Sequence, residues 1–210
     1  RWLRRWAPSN DGVKKCVIAD RPPMLNIIGR GNPGKEKKKT RHNAGRDIIM
    51  DFAKAHGFPE FHTEKKWKTL VSEGKIGKEK IILALPDTLM NNSGRAAGPI
   101  AAFYKIKPAN VFLVHDDADI ALGLAKLSFA KRSAGHKGVE SVIRALKTNE
   151  FWRFRIGIAG KRDTPADRLV LKRFTPDETK LIKKVAKKTL TALDLATTDG
   201  GSRAMNEYNS

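Results

Sequence analysis

Met24-Leu25-Asn26-Ile27-Ile28-Gly29 leads into Gly29-Arg30-Gly31-Asn32-Pro33-Gly34, then a charged run, then Thr40-Arg41-His42-Asn43-Ala44-Gly45. The first segment is mostly apolar, bounded by prolines on one side and glycines on the other, and reads as a buried strand. The glycines that follow read as a tight turn. Residues 35–41 are too charged for a core and belong on an exposed loop. A histidine, His42, closes this loop.

Downstream, the periodicity alternates between two kinds of element. Residues 46–57 carry an apolar stripe of Ile48, Ile49, Phe52, Ala53 and Ala55, predicting a helix that ends at Gly57. Residues 67–74 and 80–85 predict two strands of a hairpin or meander. An Ala-rich helix runs to Tyr104, with Asn91 or Ser93 placed to cap it. Val111-Phe112-Leu113-Val114 reads as a buried strand that ends where His115-Asp116-Asp117-Ala118-Asp119 begins. Strands over 123–130 and 154–158 bracket a short helix over 139–146, and residues 161–168 read as a flexible loop. Thr175-Pro176-Asp177-Glu178 is a capping box with proline at the first helical position. The helix it opens runs to about 197, with Leu181, Ile182, Val185, Leu190 and Leu193 inward and Lys183, Lys184, Lys187 and Lys188 outward. This alternation predicts an α/β fold: a single-domain three-layer sandwich, its mixed twisted β-sheet flanked by helices. The domain spans 24–197, between a basic N-terminal arm (1–23) and a polar C-terminal tail (198–210).

Composition narrows the partners. Across 210 residues, 42 Lys+Arg against 22 Asp+Glu give a net charge of +20, which favours a polyanion such as nucleic acid. No apolar run approaches the roughly 20 residues of a membrane span. The lone cysteine, Cys16, excludes an internal disulfide. Arg1-Trp2-Leu3-Arg4-Arg5-Trp6 resembles the end of a targeting peptide for a mitochondrial or other organellar matrix; as a plain disordered arm it would leave the protein cytoplasmic.

Two phosphate-binding readings of the glycine turn fail. Gly29-x-Gly31-x-x-Gly34 fits a dinucleotide fingerprint, but Pro33 and a charged run separate it from the next helix, whose N-terminus should face the pyrophosphate. The same stretch begins like a Walker loop, but Glu36 stands where Ser or Thr must bind magnesium. In an open α/β sheet, sites collect at the carboxyl ends of strands. Four stretches are therefore predicted to meet: 32–42, 90–93, Asp116 and 133–137. In that setting His42 reads as a general base with Asp116 as its carboxylate. Asp116, Asp117, Asp119 and His115 could instead form a divalent-metal cluster, though no second acidic cluster supports it. His136, between two glycines, is either a site residue or a loop residue.

Several motifs together resemble the bacterial-type peptidyl-tRNA hydrolases: Gly31-Asn32-Pro33-Gly34, Thr40 to Gly45, Met90-Asn91-x-Ser93-Gly94, His115-Asp116, Gly135-His136-x-Gly138, and Phe151-Trp152-Arg153-Phe154-Arg155-Ile156-Gly157. The resemblance covers roughly residues 25–179. It implies a monomeric esterase, without cofactor or metal, that cleaves the bond between a peptide and the 3′ ribose of tRNA. It implies His42 as base, Asp116 as its orienting carboxylate, Asn91 on the water or oxyanion, and Asn32 on the peptide carbonyl. Lys37, Arg41, Leu89, Met90, His136 and Lys137 fall among the substrate and tRNA contacts. Four positions depart from the family's usual residues: Arg30 for leucine, Lys37 for tyrosine, Leu89 for phenylalanine and Lys137 for asparagine. Relatives of this family that serve as organellar splicing factors make a non-catalytic RNA-binding protein the alternative.

Overall fold

A computed structural model describes residues 4–7, 15–18, 24–32, 40–87, 92–160 and 169–210. Nine strands are described: β1 (Arg4–Ala7), β2 (Lys15–Ile18), β3 (Met24–Gly29), β4 (His62–Glu64), β5 (Thr69–Ile76), β6 (Glu79–Pro86), β7 (Val111–Ala121), β8 (Ala125–Phe129) and β9 (Trp152–Ala159). Five α-helices accompany them: α1 (Ala44–Ala55), α2 (Gly94–Tyr104), α3 (Lys137–Leu146), α4 (Pro176–Asp199) and α5 (Gly201–Asn209). Within the N-terminal arm, β1 and β2 pair antiparallel, where the sequence suggested no regular structure.

The other seven strands form one mixed sheet in the order β4-β5-β6-β3-β7-β9-β8. β3 lies between β6 and β7, parallel to both, and β9 is parallel to β7. β4, β5 and β8 add antiparallel edges. Burying both faces of the central strands explains their unbroken apolar runs. Alternate residues feed two separate cores. Ile27, Ile81, Leu83, Phe112 and Val114 pack under α1, α4 and α5, whereas Ile28, Ile82, Ala84, Val111 and Leu113 pack under α2 and α3. This is the three-layer sandwich the alternation predicted.

Four local expectations need correcting. β7 does not stop at Val114 but continues through His115, Asp116 and Asp117 to Ala121, paired with β9 up to Asp117 opposite Gly157 and, past a bulge, at Ala121 opposite Ala159. The two carboxylates are tolerated in a central strand because Arg30, His42 and Arg155 partner them, while His115 bonds the Asp116 carbonyl. The expected polar tail holds α5, whose Ala204 and Tyr208 are buried; the Tyr208 hydroxyl is 2.6 Å from Thr189 Oγ1. Leu181 is not inward on α4 but 42% exposed, one turn before the buried Val185. The short edge strand β4 was absent from the sequence reading. The capping box of α4 is formed in full: Glu178 N–H donates to Thr175 Oγ1, and Glu178 Oε2 accepts from Thr175 N–H.

Candidate active site

The site lies where β3 ends against the middle of β7. Arg30, just past β3, donates its backbone N–H to the Val114 carbonyl at 3.0 Å and accepts from Arg46 N–H at 2.8 Å. The start of α1 is thereby drawn onto the sheet. Gly45 permits that approach: a Cβ there would sit 2.2 Å from the Val114 carbonyl oxygen, a backbone atom with no room to yield. His42 precedes α1 in a single 3-10 turn (Arg41–Asn43), and its backbone is fixed from outside. Thr40 bridges Arg173, Arg41 N–H donates to Lys172 O, and His42 N–H donates to Val170 O.

These anchors aim His42 at β7. His42 Nδ1 lies 2.7 Å from Asp116 Oδ2. The Asp116 side chain is 3% exposed, that of His42 14%. Burial pushes the Asp116 carboxyl upward, but the His42 hydrogen bond and the charges of His42, Arg30 and His136 outweigh it and hold the group down at about 2. A carboxylate ionised at all physiological pH thus accepts the Nδ1 proton. That fixes the tautomer and leaves Nε2 with its lone pair. A cleft of about 360 Å³ opens beside the pair, lined by His42, Asp116, Asp119, His136, Lys137 and Val170 among others.

His136 caps the N-terminus of α3 and lies edge-on to the fully buried His115, ring centroids 4.8 Å apart. Burial, and next the Arg30 charge, push His136 down to about 4, so its ring is neutral at pH 7. His115 Nδ1–H donates to the Asp116 carbonyl, 2.7 Å away, and burial holds the ring well below the ordinary imidazole range.

Asn32 is placed by its neighbour in sequence space, Asn43. The Asn43 amide accepts from Asn32 N–H at 2.8 Å and donates to Asn32 O at 3.1 Å, a two-point clamp on the backbone. The Asn32 side-chain oxygen is buried without a hydrogen-bond partner. Lys137 opens α3 at the cleft wall and is exposed. Arg41 is placed differently from the phosphate contact expected of it. Its guanidinium is buried, donating to Glu178 Oε1 at 2.6 Å and to Ile158 O at 3.2 Å, with Phe174 stacked at 5.0 Å. Lys37, Leu89, Met90 and Asn91 lie outside the described residues. The acidic run of β7 is split: Asp116 serves His42, and Asp117 Oδ2 accepts from Arg155 Nε at 2.6 Å. Among the described residues, no group of three His, Cys, Asp or Glu side chains is placed to hold a metal ion.

Sequence reasoning missed two residues of this site. Asn43 appeared only as a flank of His42, and Arg30 only as an oddity of the turn; both matter through contacts made far along the chain.

The sheet, its layered helices and a histidine–aspartate pair at a polar cleft define an α/β sandwich with its site at the carboxyl edge of the parallel strands. The comparisons narrow that class. A family model described as peptidyl-tRNA hydrolase matches residues 26–210. A peptidyl-tRNA hydrolase of Desulfitobacterium hafniense is 38% identical over 188 residues, 89% of this chain and 100% of the relative. One of Carboxydothermus hydrogenoformans is 37% identical over 186 residues, covering 89% and 98%. The crystal structure of peptidyl-tRNA hydrolase from Acinetobacter baumannii superposes with a TM-score of 0.83 at 29% identity, over 89% of this chain and 95% of the other. The chain belongs to the peptidyl-tRNA hydrolase family.

Proposed function

We propose that this protein hydrolyses the ester between the peptide and the terminal ribose of peptidyl-tRNA, with His42 as general base. His42 Nε2 takes a proton from water as the water oxygen attacks the ester carbonyl carbon. The ester C–O bond then breaks, and the proton passes to the departing ribose oxygen. Asp116 holds the ring in the required tautomer and offsets the charge it gains. Asn91 would donate to the developing oxyanion. Asn32, with amide capacity unspent, would engage the first peptide unit and so favour an N-blocked aminoacyl group. The step needs neither metal nor cofactor. The +20 charge supports tRNA binding through phosphates, without sequence reading, to a monomer.

The observation that carries this reading is the 2.7 Å His42–Asp116 contact at the wall of the cleft. Incubation with N-acetyl-aminoacyl-tRNA tests it. Deacylation should proceed with the natural chain and fall by several powers of ten in His42→Ala. Equal binding by both proteins without turnover would overturn it in favour of a non-catalytic RNA-binding role. An organellar address rests on the basic, aromatic residues 1–6, and fusion of residues 1–23 to a fluorescent reporter tests it. Among the described residues no helix is long and apolar enough to cross a membrane.

A further inference from the structure

We propose that Arg30 is a positioning residue of this hydrolytic site, clamping Asp116 and His136 from the protein interior and setting a permanent positive charge behind the His42–Asp116 pair. The inference rests on the function proposed above.

Arg30 is 2% exposed, the largest fully buried side chain among the described residues. Its backbone is held by Val114 and Arg46, so the side chain has a fixed origin. From there Nη1 reaches 3.4 Å from Asp116 Oδ1, the oxygen that His42 does not use. The same nitrogen lies against the His136 ring, in contact with both ring nitrogens, 3.2 Å from Nδ1. A guanidinium can only donate, and Nδ1 already accepts from Val139 N–H, so Nδ1 is the ring's acceptor for both and His136 is neutral. The space for this group exists because Gly138 has no side chain: a Cβ there would stand 2.3 Å from Arg30 Nε and 2.5 Å from Cζ. The Asp116 carboxylate is thus divided, one oxygen orienting the base and the other tied to a cation that does not deprotonate.

The charged and titratable groups around His42 come from every neighbouring element. Asp116, Asp117, Asp119 and His115 lie on β7, His136 and Lys137 open α3, and Arg155 of β9 is already paired with Asp117. Arg30 is the cation bonded to the carboxylate that serves the base. It holds the carboxylate oxygen that His42 leaves free, so the carboxylate keeps one orientation toward the base.

The test compares Arg30→Met, Arg30→Lys and Gly138→Ala with the natural chain, by kcat and KM for N-acetyl-aminoacyl-tRNA from pH 5 to 8. The imidazoles of His42 and His136 are titrated in parallel by NMR without substrate. Arg30→Met should lower kcat about tenfold with KM within about threefold, because Arg30, only 2% exposed at the cleft wall, acts through Asp116 and His136. The acid limb should move up, and the His136 imidazole should titrate higher once the Arg30 charge that lowers it is gone. Arg30→Lys should restore the acid limb. Gly138→Ala, which pushes the guanidinium off His136, should lower kcat and raise the His136 titration even where Arg30→Met is too unstable to assay. Acid limb and titrations unchanged across these variants would overturn the proposal, as would Arg30→Lys behaving like Arg30→Met in both. A natural chain without turnover refutes the hydrolase reading instead, and the two imidazole titrations still decide whether Arg30 governs the cluster.

Discussion

His42 Nδ1 meets Asp116 Oδ2 at 2.7 Å across 74 residues of sequence, and Arg30 meets the other oxygen of the same carboxylate. One buried carboxylate is therefore placed to support both the proposed chemistry and stability. Asp116→Asn keeps the shape and removes the charge, so the expected effects are double. Turnover of N-acetyl-aminoacyl-tRNA should fall by about 10²–10⁴ as the imidazole loses its orienting anion. Stability should fall by ~3–5 kcal/mol, because Arg30 remains buried without the carboxylate's charge. His42→Ala should lose the turnover but little of the stability. Single-turnover deacylation and urea unfolding of the two variants separate the contributions.

Stability should decline with acid in two stages. His136 is held at about 4 by burial and the Arg30 charge, below the ordinary 6.5 of an imidazole. Between those values the unfolded chain binds a proton that the folded chain refuses, so stability rises with pH across this window and is lost as pH falls through it. Asp116, held at about 2 against an ordinary 3.8, contributes stability that is complete above 3.8 and lost as pH falls toward 2. Urea midpoints measured from pH 7.5 to 3 should fall first between about 6.5 and 4. In His136→Gln that first decline should be shallower, His115 accounting for what persists.

The layered sheet was legible because its signals are local. Apolar runs such as Ile81 to Leu85, buried on both faces, and the Thr175–Glu178 capping box need no distant partner to be read. β7 was cut short because His115, Asp116 and Asp117 look like a strand end until Arg30, His42 and Arg155 are seen beside them. The C-terminal helix was hidden for a similar reason. Residues 201–209 are polar on average, and only the docking of Ala204 and Tyr208 makes them part of the core. His42 and Asp116 could be paired in advance because a base and a strand-end carboxylate were expected at one sheet edge. Asn43 and Arg30 could not, since their roles depend on which atoms they reach.

Arg41 shows how a basic residue beside a site can be structural. Its ion pair with Glu178 at 2.6 Å, its bond to Ile158 O and the Phe174 ring tie the His42 turn to the start of α4. Arg41→Ala should cost ~1–3 kcal/mol in stability, as expected for charged hydrogen bonds lost from a buried site. Glu178→Gln should cost less, because Glu178 is the more exposed partner. In a double-mutant cycle the two losses should be strongly non-additive. The salt dependence of tRNA binding is the discriminating measurement. A phosphate contact would flatten its slope by about one unit, whereas a structural Arg41 leaves the slope unchanged while the melting temperature falls.

Asn43 governs Asn32 through two bonds of opposite sense, accepting from its N–H and donating to its carbonyl. Asn43→Asp keeps the first bond and turns the second into a repulsion between two oxygens at a buried position. Asn32 should then shift from its clamped position, and lose the peptide contact proposed for it, while the His42–Asp116 pair stays intact. The expected outcome is therefore not a uniform loss. kcat/KM for N-acetyl-aminoacyl-tRNA should fall about 10-fold or more, the range for a hydrogen-bonding group withdrawn from its substrate. Hydrolysis of unblocked aminoacyl-tRNA, which would not use the contact proposed for Asn32, should change little, so discrimination between the two narrows. Equal losses on both substrates would mean that Asn43 supports the base rather than the peptide contact. Measuring both substrates at one pH, with Asn32→Ala alongside, distinguishes the outcomes, because Asn32→Ala should reproduce the narrowing without the repulsion.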